Sequence, residues 1–391
     1  MAGATQGGSA GTAGDGSAGA AGASGGGSGS GGSSPQGGSA GATGSSGSAG
    51  SGAGSGGASA GAAGCEAMAP MTDAALRARC TGTSPITCSF GGQPGHYDVT
   101  LLLGGPNASS TAVSAESRRF MLGTSEVPSG GTRCVSFTVN VRDPEGQPIQ
   151  DVAAGTPGLN FRLEGNAPAL QAVGVRPAQN PVVLYIAGDS TVCDQEPQLD
   201  AAPNARFSGW GQMLPQFFGL GVSVTNYADS GESTAAFRTD GGSLWARIAR
   251  DLKAGDYVFI QLGHNDKTTP AATYRSRITA MVRAVKAESA VPVLVSPIAR
   301  NTGAALDAQH IYGDLNVRRE LQQIATAESV ALIDLMATTQ AWMQQVGRTT
   351  AQTFFVSGDQ THTNQLGAQL FAEFVVQGIR DRQLPIAARL R

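Results

Sequence analysis

The first 64 residues lack what a folded core requires. They hold 26 of the chain's 56 glycines, one charge at Asp15, no aromatic residue, and Met1 as the sole large apolar side chain. Such a segment has nothing to bury against the entropy of ordering, so residues 1–64 read as a disordered Gly/Ala/Ser-rich tether. Its glycines keep no three-residue period, which excludes collagen. No apolar run anywhere approaches the ~18–20 residues of a membrane-spanning helix, so no transmembrane segment is expected. An excess of one charge sign is also missing: 26 basic and 29 acidic residues leave a net charge of -3, with no electrostatic case for nucleic acid or an anionic membrane.

Metal-ligand spacing is absent as well. The five cysteines contain no C-x-x-C pair with a matching partner. Cys65, Cys80, Cys88 and Cys134 fit disulfides in an oxidising compartment, with three pairings left open, and Cys193 remains as a buried free thiol. The chain begins directly in the tether, without a basic n-region or apolar h-region, and reads as processed or truncated. Ala62-Ala63-Gly64-Cys65 resembles the end of a lipoprotein cleavage site but lacks the hydrophobic stretch that must precede one.

Beyond the tether the sequence is ordinary globular protein, long enough for roughly two domains. From about Phe90 to Ala178 the apolar pattern has period two: Val135, Phe137, Val139 and Val141 alternate with Ser136, Thr138, Asn140 and Arg142. Leu159, Phe161 and Leu163 alternate likewise, Tyr97 to Leu103 is a further strand, and Gly104-Gly105-Pro106 marks a turn. Residues 65–180 therefore read as a Cys-containing segment and a small antiparallel sandwich of half-buried strands. From Pro181 the pattern changes. Val182–Ala187, Val222–Ala228, Tyr257–Leu262, Val291–Ser296 and Ala331–Leu335 are continuous apolar runs, as expected of strands covered on both faces. Between them Ile278, Met281, Val282 and Val285 keep helical spacing, as do Leu370, Phe371, Phe374, Val375 and Ile379 near the end. Residues 181–391 thus predict an α/β domain with a five-stranded parallel sheet between helices, and chemistry at the carboxyl ends of its strands. The boundary is expected near residues 176–181.

Those strand ends carry the reactive side chains. The first runs into Gly188-Asp189-Ser190, where Gly188 permits a sharp turn and Ser190 can present its hydroxyl. The second ends in Asp229-Ser230-Gly231-Glu232-Ser233 and the third in Gly263-His264-Asn265-Asp266. A glycine amide and an asparagine amide are donor types that hold an oxyanion, although Asn265 could equally cap a helix or close a turn. Before the last helix stands Asp359-Gln360-Thr361-His362, in which Asp359 can bend back to fix the imidazole and leave its other nitrogen as a base. His96 belongs to the sandwich, His310 to an unremarkable loop, and His264 to its own turn. Ser233, in Gly231-Glu232-Ser233-Thr234-Ala235, is a rival nucleophile that approximates the G-x-S-x-G elbow, but polar Asp229 and Ser230 interrupt the strand before it.

Together, Gly-Asp-Ser, a glycine after the second strand, Gly-x-Asn-Asp after the third and Asp-x-x-His before the last helix resemble the SGNH, or GDSL-type, hydrolases over roughly residues 181–385. The wording "LYIAGDSTVCDQ", "GWGQMLPQFF", "NYADSGES", "FIQLGHNDK" and "DQTHTNQLGA" is most similar to rhamnogalacturonan acetylesterases. Some bacterial members carry an amino-terminal galactose-binding-like sandwich, which the segment "YDVTLLLGG" to "AESRRFMLG" resembles. The resemblance implies a three-layer α/β/α, flavodoxin-like fold. It also implies Ser190 as nucleophile, His362 as general base, Asp359 as its orienting partner, and an oxyanion hole of the Ser190 amide, Gly231 and Asn265, with neither cofactor nor metal. Gln360 departs from the commoner "DGTH" wording but leaves the Asp-to-His spacing intact. The implied activity is removal of O-acetyl groups from a plant cell-wall polysaccharide, rhamnogalacturonan first, by a monomeric enzyme that is secreted or tethered at the cell surface. Alternatives are an acetylesterase on xylan or small acyl esters, and a non-catalytic carbohydrate-binding surface protein.

Overall fold

Alternation of apolar and polar residues builds the amino-terminal half. In the computed structural model, which describes residues 68–116, 118–142, 157–196, 198, 201–239 and 244–391, eight strands precede residue 180. They are β1 (Cys80–Thr81), β2 (Ile86–Gly91), β3 (Gly95–Gly104), β4 (Ser109–Ala115), β5 (Arg119–Val127), β6 (Thr132–Val141), β7 (Leu159–Glu164) and β8 (Leu170–Pro177). The tether and Cys65 lie outside the described residues. The strands pair antiparallel into two sheets, in the orders β1-β2-β7-β4-β5 and β6-β3-β8. Val99, Leu101, Leu103, Phe137, Val139 and Phe161 fill the space between the sheets. Cys80 stands opposite Cys88 in the β1–β2 ladder and is bonded to it, and Cys134 is also disulfide-bonded.

The sandwich departs from the expected half-buried pattern on β6. Ser136, Thr138 and Asn140, the polar positions of the alternation, are buried as well. The outer face of this sheet is covered by the second half of the chain, where Gly221 N donates to Thr138 Oγ1 at 2.9 Å and the Arg391 guanidinium donates to Ser136 O at 2.6 Å. His96 Nδ1 meets Ser223 Oγ at 2.8 Å across the same junction. Ser136 Oγ meets Thr100 Oγ1 and Thr138 Oγ1 donates to Asp98, which offsets their burial, whereas Asn140 Oδ1 is buried without a partner among the described residues.

The continuous apolar runs become β9 (Val182–Ala187), β10 (Val222–Asn226), β11 (Tyr257–Ile260) and β12 (Val291–Val295). After a short hairpin, β13 (Ile311–Tyr312) with β14 (Leu315–Asn316), comes β15 (Ala331–Ile333). The sheet is parallel throughout, in the order β10-β9-β11-β12-β15. Helices Ala271–Ala287 and Val317–Glu328 cover one face with Ile278, Met281, Val285, Leu321 and Ile324. Helices Leu335–Val346 and Gln365–Asp381, with Trp210–Met213, cover the other through Trp210, Leu335, Phe371 and Val375. Full burial of such side chains contributes about 1.5–3 kcal/mol each. The result is a three-layer α/β/α arrangement. Because β9 and β11 are neighbours, the loops after β9, β10 and β11 converge on one rim.

Candidate active site

Ser190 stands at that rim, three residues beyond the end of β9. Gly188 is required there for a reason other than the sharp turn expected: its φ is not left-handed, but an added Cβ would lie 2.9 Å from the Val192 side chain and 3.2 Å from Ala228. The backbone then curls tightly, with the amides of Val192 and Cys193 both donating to Asp189 O. Asp189 is fully buried below the serine. Its Oδ1 accepts from Thr191 N at 3.0 Å and Thr191 Oγ1 at 2.8 Å, whereas Oδ2 has no partner. Burial pushes this carboxyl up to about 6, against the opposing effect of the two Thr191 bonds. Gln261 ties the turn to the core, donating to Thr191 Oγ1 at 2.9 Å and accepting from Trp210 Nε1 at 2.8 Å.

The second half of the site comes from the loop before the last helix. Asn364 caps that helix by accepting from Gly367 N at 3.1 Å, and its amide donates to Thr353 O and Phe355 O. An Asp359 oxygen accepts from Thr361 N at 2.6 Å and His362 N at 2.9 Å, which bends the loop back on itself. The other oxygen lies 2.7 Å from His362 Nδ1, and His362 Nε2 lies 2.9 Å from Ser190 Oγ. Burial alone would raise the Asp359 carboxyl, but the bonds from the His362 amide and ring and from the Thr361 amide outweigh it and hold the carboxyl below its ordinary value. A hydroxyl in contact with an imidazole whose far nitrogen is fixed by a carboxylate can give up its proton on attack.

The loops after β10 and β11 are clamped together beside this line. Asp266 accepts from Thr234 N at 3.0 Å and from Thr234 Oγ1 and Thr269 Oγ1. Asn265 Nδ2 donates to Glu232 O at 3.0 Å, which uses one of its two hydrogens. Asn265 therefore bridges two loops and caps no helix, since the next helix begins after Pro270. Gly231 adopts φ 82°, and nothing lies within 4 Å of where its Cβ would stand, so that side of its backbone is open.

Ser233, the rival nucleophile, accepts from Ala236 N at 3.2 Å and opens a short helix. Two histidines differ from expectation. His264 is buried with neither ring nitrogen hydrogen-bonded, and its ring packs edge-on at 4.2 Å against His310. His310 is no idle loop residue: it spans Ile298 O and Tyr312 OH, at 2.8 Å each. Burial lowers both, His264 far below its ordinary value and His310 to about 4. Cys193 is the expected buried free thiol, with its titration pushed well upward by burial.

Several residues that sequence reasoning passed over hold the site in place. Gln195 donates to Ser190 O at 2.9 Å, and Gln212 donates to both Gln195 O and Arg118 O. Asp194 accepts from Arg119 Nε at 2.8 Å and from Asn226 Nδ2 at 2.8 Å, with Arg142 at 3.6 Å. Sandwich arginines thus anchor the segment just after Ser190. The Phe207 ring packs edge-on to His362 at 5.6 Å. No spacing rule marks these contacts, because all but the Gln195–Ser190 bond join residues well apart in the chain.

Residues 186–370 match the model of the GDSL-like lipase/acylhydrolase family. The Bacillus subtilis protein named uncharacterized esterase YxiM is 31% identical over 292 residues, which span 73% of this chain and 72% of that protein. Rhamnogalacturonan acetylesterase RhgT of the same organism is 31% identical over 230 residues, 54% of this chain and 95% of the relative. The chain belongs to the GDSL-like lipase/acylhydrolase family. It is an SGNH-type ester hydrolase with an additional amino-terminal β region. The solved structure of the Bacillus subtilis YxiM protein aligns at 26% identity and a TM-score of 0.47, covering 77% of this chain and 81% of the other. Among the described residues of this SGNH hydrolase, no helix is long and apolar enough to cross a membrane.

Proposed function

We propose that the protein removes O-acetyl groups from rhamnogalacturonan through an acyl-enzyme formed on Ser190. The observation that carries the mechanism is the continuous line Ser190 Oγ, His362 Nε2, His362 Nδ1, Asp359 Oδ2, with contacts of 2.9 and 2.7 Å. As Ser190 Oγ bonds to the ester carbonyl carbon, its proton passes to His362 Nε2. The amides of Ser190 and Gly231 and the free hydrogen of Asn265 Nδ2 stabilise the oxyanion. Collapse breaks the bond to the sugar oxygen, which leaves as an alcohol with the proton from His362. Water then attacks the acetyl-serine with His362 again as base, and acetate departs. Asp359, ionised through its three hydrogen bonds, holds the imidazole tautomer and offsets the charge that forms on it.

Support for the substrate comes from the relatives named rhamnogalacturonan acetylesterase, one of them aligned over 95% of its length. The Cys80–Cys88 disulfide supports export to an oxidising compartment. Acetate release from acetylated rhamnogalacturonan and acetylated xylan, measured for the full chain and for Ser190→Ala, tests the reading. Faster release from rhamnogalacturonan, abolished in the variant, is expected. Preference for xylan would overturn the substrate, and an active Ser190→Ala would overturn the mechanism.

A further inference from the structure

Next to the site, the sandwich and the parallel-sheet half form a notch of about 50 Å³ that ester hydrolysis itself does not require. Arg118, Phe120 and Arg162 line it from the sandwich, and Arg206, Phe207 and Gln212 from the other half. Phe207 is the ring that packs on His362. One wall of the notch is therefore a single side chain away from the proposed general base.

Arg118 is the anomaly. It is 6% exposed, forms no ion pair among the described residues, and its Nη1 has no hydrogen-bond partner. Burial holds its guanidinium down to about 10, while the negative charges of Asp194 and Glu196 oppose that shift from a distance. Its neighbour Arg119 is equally buried, yet is paired with Asp194 and donates to Asn140 O. A buried guanidinium left unpaired is costly, so a protein that pairs one of two adjacent arginines and not the other is keeping donors for something else. Arg162 repeats the pattern in part: it gives Nη2 to Glu164 at 2.7 Å, but its buried Nε has no partner.

Three guanidinium groups line this notch against the carboxylates of Glu164 and Glu196. Planar, forked donors of this kind match a carboxylate. The notch leaves room for that group. The sugar ring that carries it can rest against Phe207 or Phe120, which line the same notch.

We propose that the notch is a carboxylate subsite in which Arg118 and Arg162, both from the sandwich, bind a uronate of the polysaccharide while its acetylated neighbour lies at Ser190. The sandwich is then part of the substrate site and directs the enzyme to acidic polymers. This rests on the acetylesterase reading above. The uronate can belong to a pectic backbone or to glucuronate branches of a xylan, and the substrates of the test separate these sources.

The test measures KM and kcat for the full chain, Arg118→Gln and Arg162→Gln. The substrates are acetylated rhamnogalacturonan, the same polymer after carboxyl reduction, acetylated glucuronoxylan, and 4-nitrophenyl acetate. For Arg118→Gln, KM on at least one of the two acidic polymers is expected to rise about 10–100-fold, as for loss of a charge-assisted hydrogen-bonded pair. Kinetics on the reduced polymer and the aryl ester should stay unchanged, and the wild-type KM on that acidic polymer should rise with salt. The polymer affected identifies the source of the uronate. An unchanged KM on both, or equal losses on aryl ester and polymer, would overturn the subsite. If Arg118→Gln fails to fold, Arg162→Gln and inhibition of wild-type polymer hydrolysis by free galacturonate decide instead. Inhibition lost on methyl esterification of the galacturonate supports the subsite, and equal inhibition by acid and ester refutes it. Wild-type turnover of the aryl ester, abolished by Ser190→Ala, checks the hydrolase mechanism independently of every one of these outcomes.

Discussion

Replacing Asp189 with Asn should make the protein more stable at neutral pH and no more stable in acid. The carboxyl is fully buried, has one unpartnered oxygen, and is raised from an ordinary 3.8 to about 6. A raised folded-state value means that the native state binds the proton more tightly than the unfolded chain. The protonated acid is therefore tolerated below about pH 3.8, and the penalty for the buried charge grows through pH 3.8–6 and is complete above it. A shift of roughly two units corresponds to about 3 kcal/mol. Asn keeps an oxygen for the two Thr191 bonds and carries no charge. The wild-type curve alone would hide the effect, because His310, lowered to about 4, acts with the opposite sign. Its neutral ring contributes stability above about pH 6.5 that is lost as pH falls towards 4. The measurable quantity is thus the difference between Asp189→Asn and wild type in reversible urea unfolding, from pH 3.5 to pH 7.5. It should shift in favour of the variant by about 3 kcal/mol over that range. Parallel pH profiles would refute the reasoning, since they would mean that the carboxyl titrates alike in the folded and unfolded states.

Asp359→Asn should leave the fold intact and lower kcat on an aryl acetate by roughly 10³–10⁴-fold, because an amide can present its N–H₂ to Nδ1 and favour the wrong tautomer; a loss below tenfold would remove Asp359 from the mechanism. For Asn265→Ala, kcat should fall about 10²–10³-fold with KM little changed, as for other single oxyanion donors. A rise in KM alone would instead assign Asn265 to ground-state binding. Arg119→Ala removes the short ion pair of Asp194 and leaves it the Asn226 amide and the longer Arg142 contact, and urea unfolding should register a loss of about 3–5 kcal/mol. A change under 1 kcal/mol would show that the sandwich does not anchor the segment after Ser190.

Local chemistry made much of this protein legible in the chain. Strands β9, β10, β11, β12 and β15 lie within the apolar runs that mark them, because a strand covered on both faces must be apolar at every position. Their ends came out one to two residues short where Tyr227, Leu262 and Leu335 pass into loop or helix, since periodicity carries no signal for where a ladder stops. Asp359 and His362 were readable as a pair because three residues of loop suffice to bring one side chain to the other. The sandwich's role was hidden: Ser136, Thr138 and Asn140 read as solvent-facing, and only the docked parallel-sheet half makes them buried.

By itself the sequence determined the two grammars of strand, the order of the four motifs, and hence the side chains that can meet at the rim of a parallel sheet. Periodicity and motif spacing are properties of neighbours along the chain, and they survive without a fold. Tertiary structure alone decided that Gly188 is needed for room and not for a left-handed turn, and that Asp266 clamps the two donor loops. It alone decided that Gln212 links Arg118 to the nucleophile turn, and that of two adjacent arginines one is paired and one is not. Each of these depends on which surfaces come together across long stretches of chain. Pairing, desolvation and packing have no value until that contact is made.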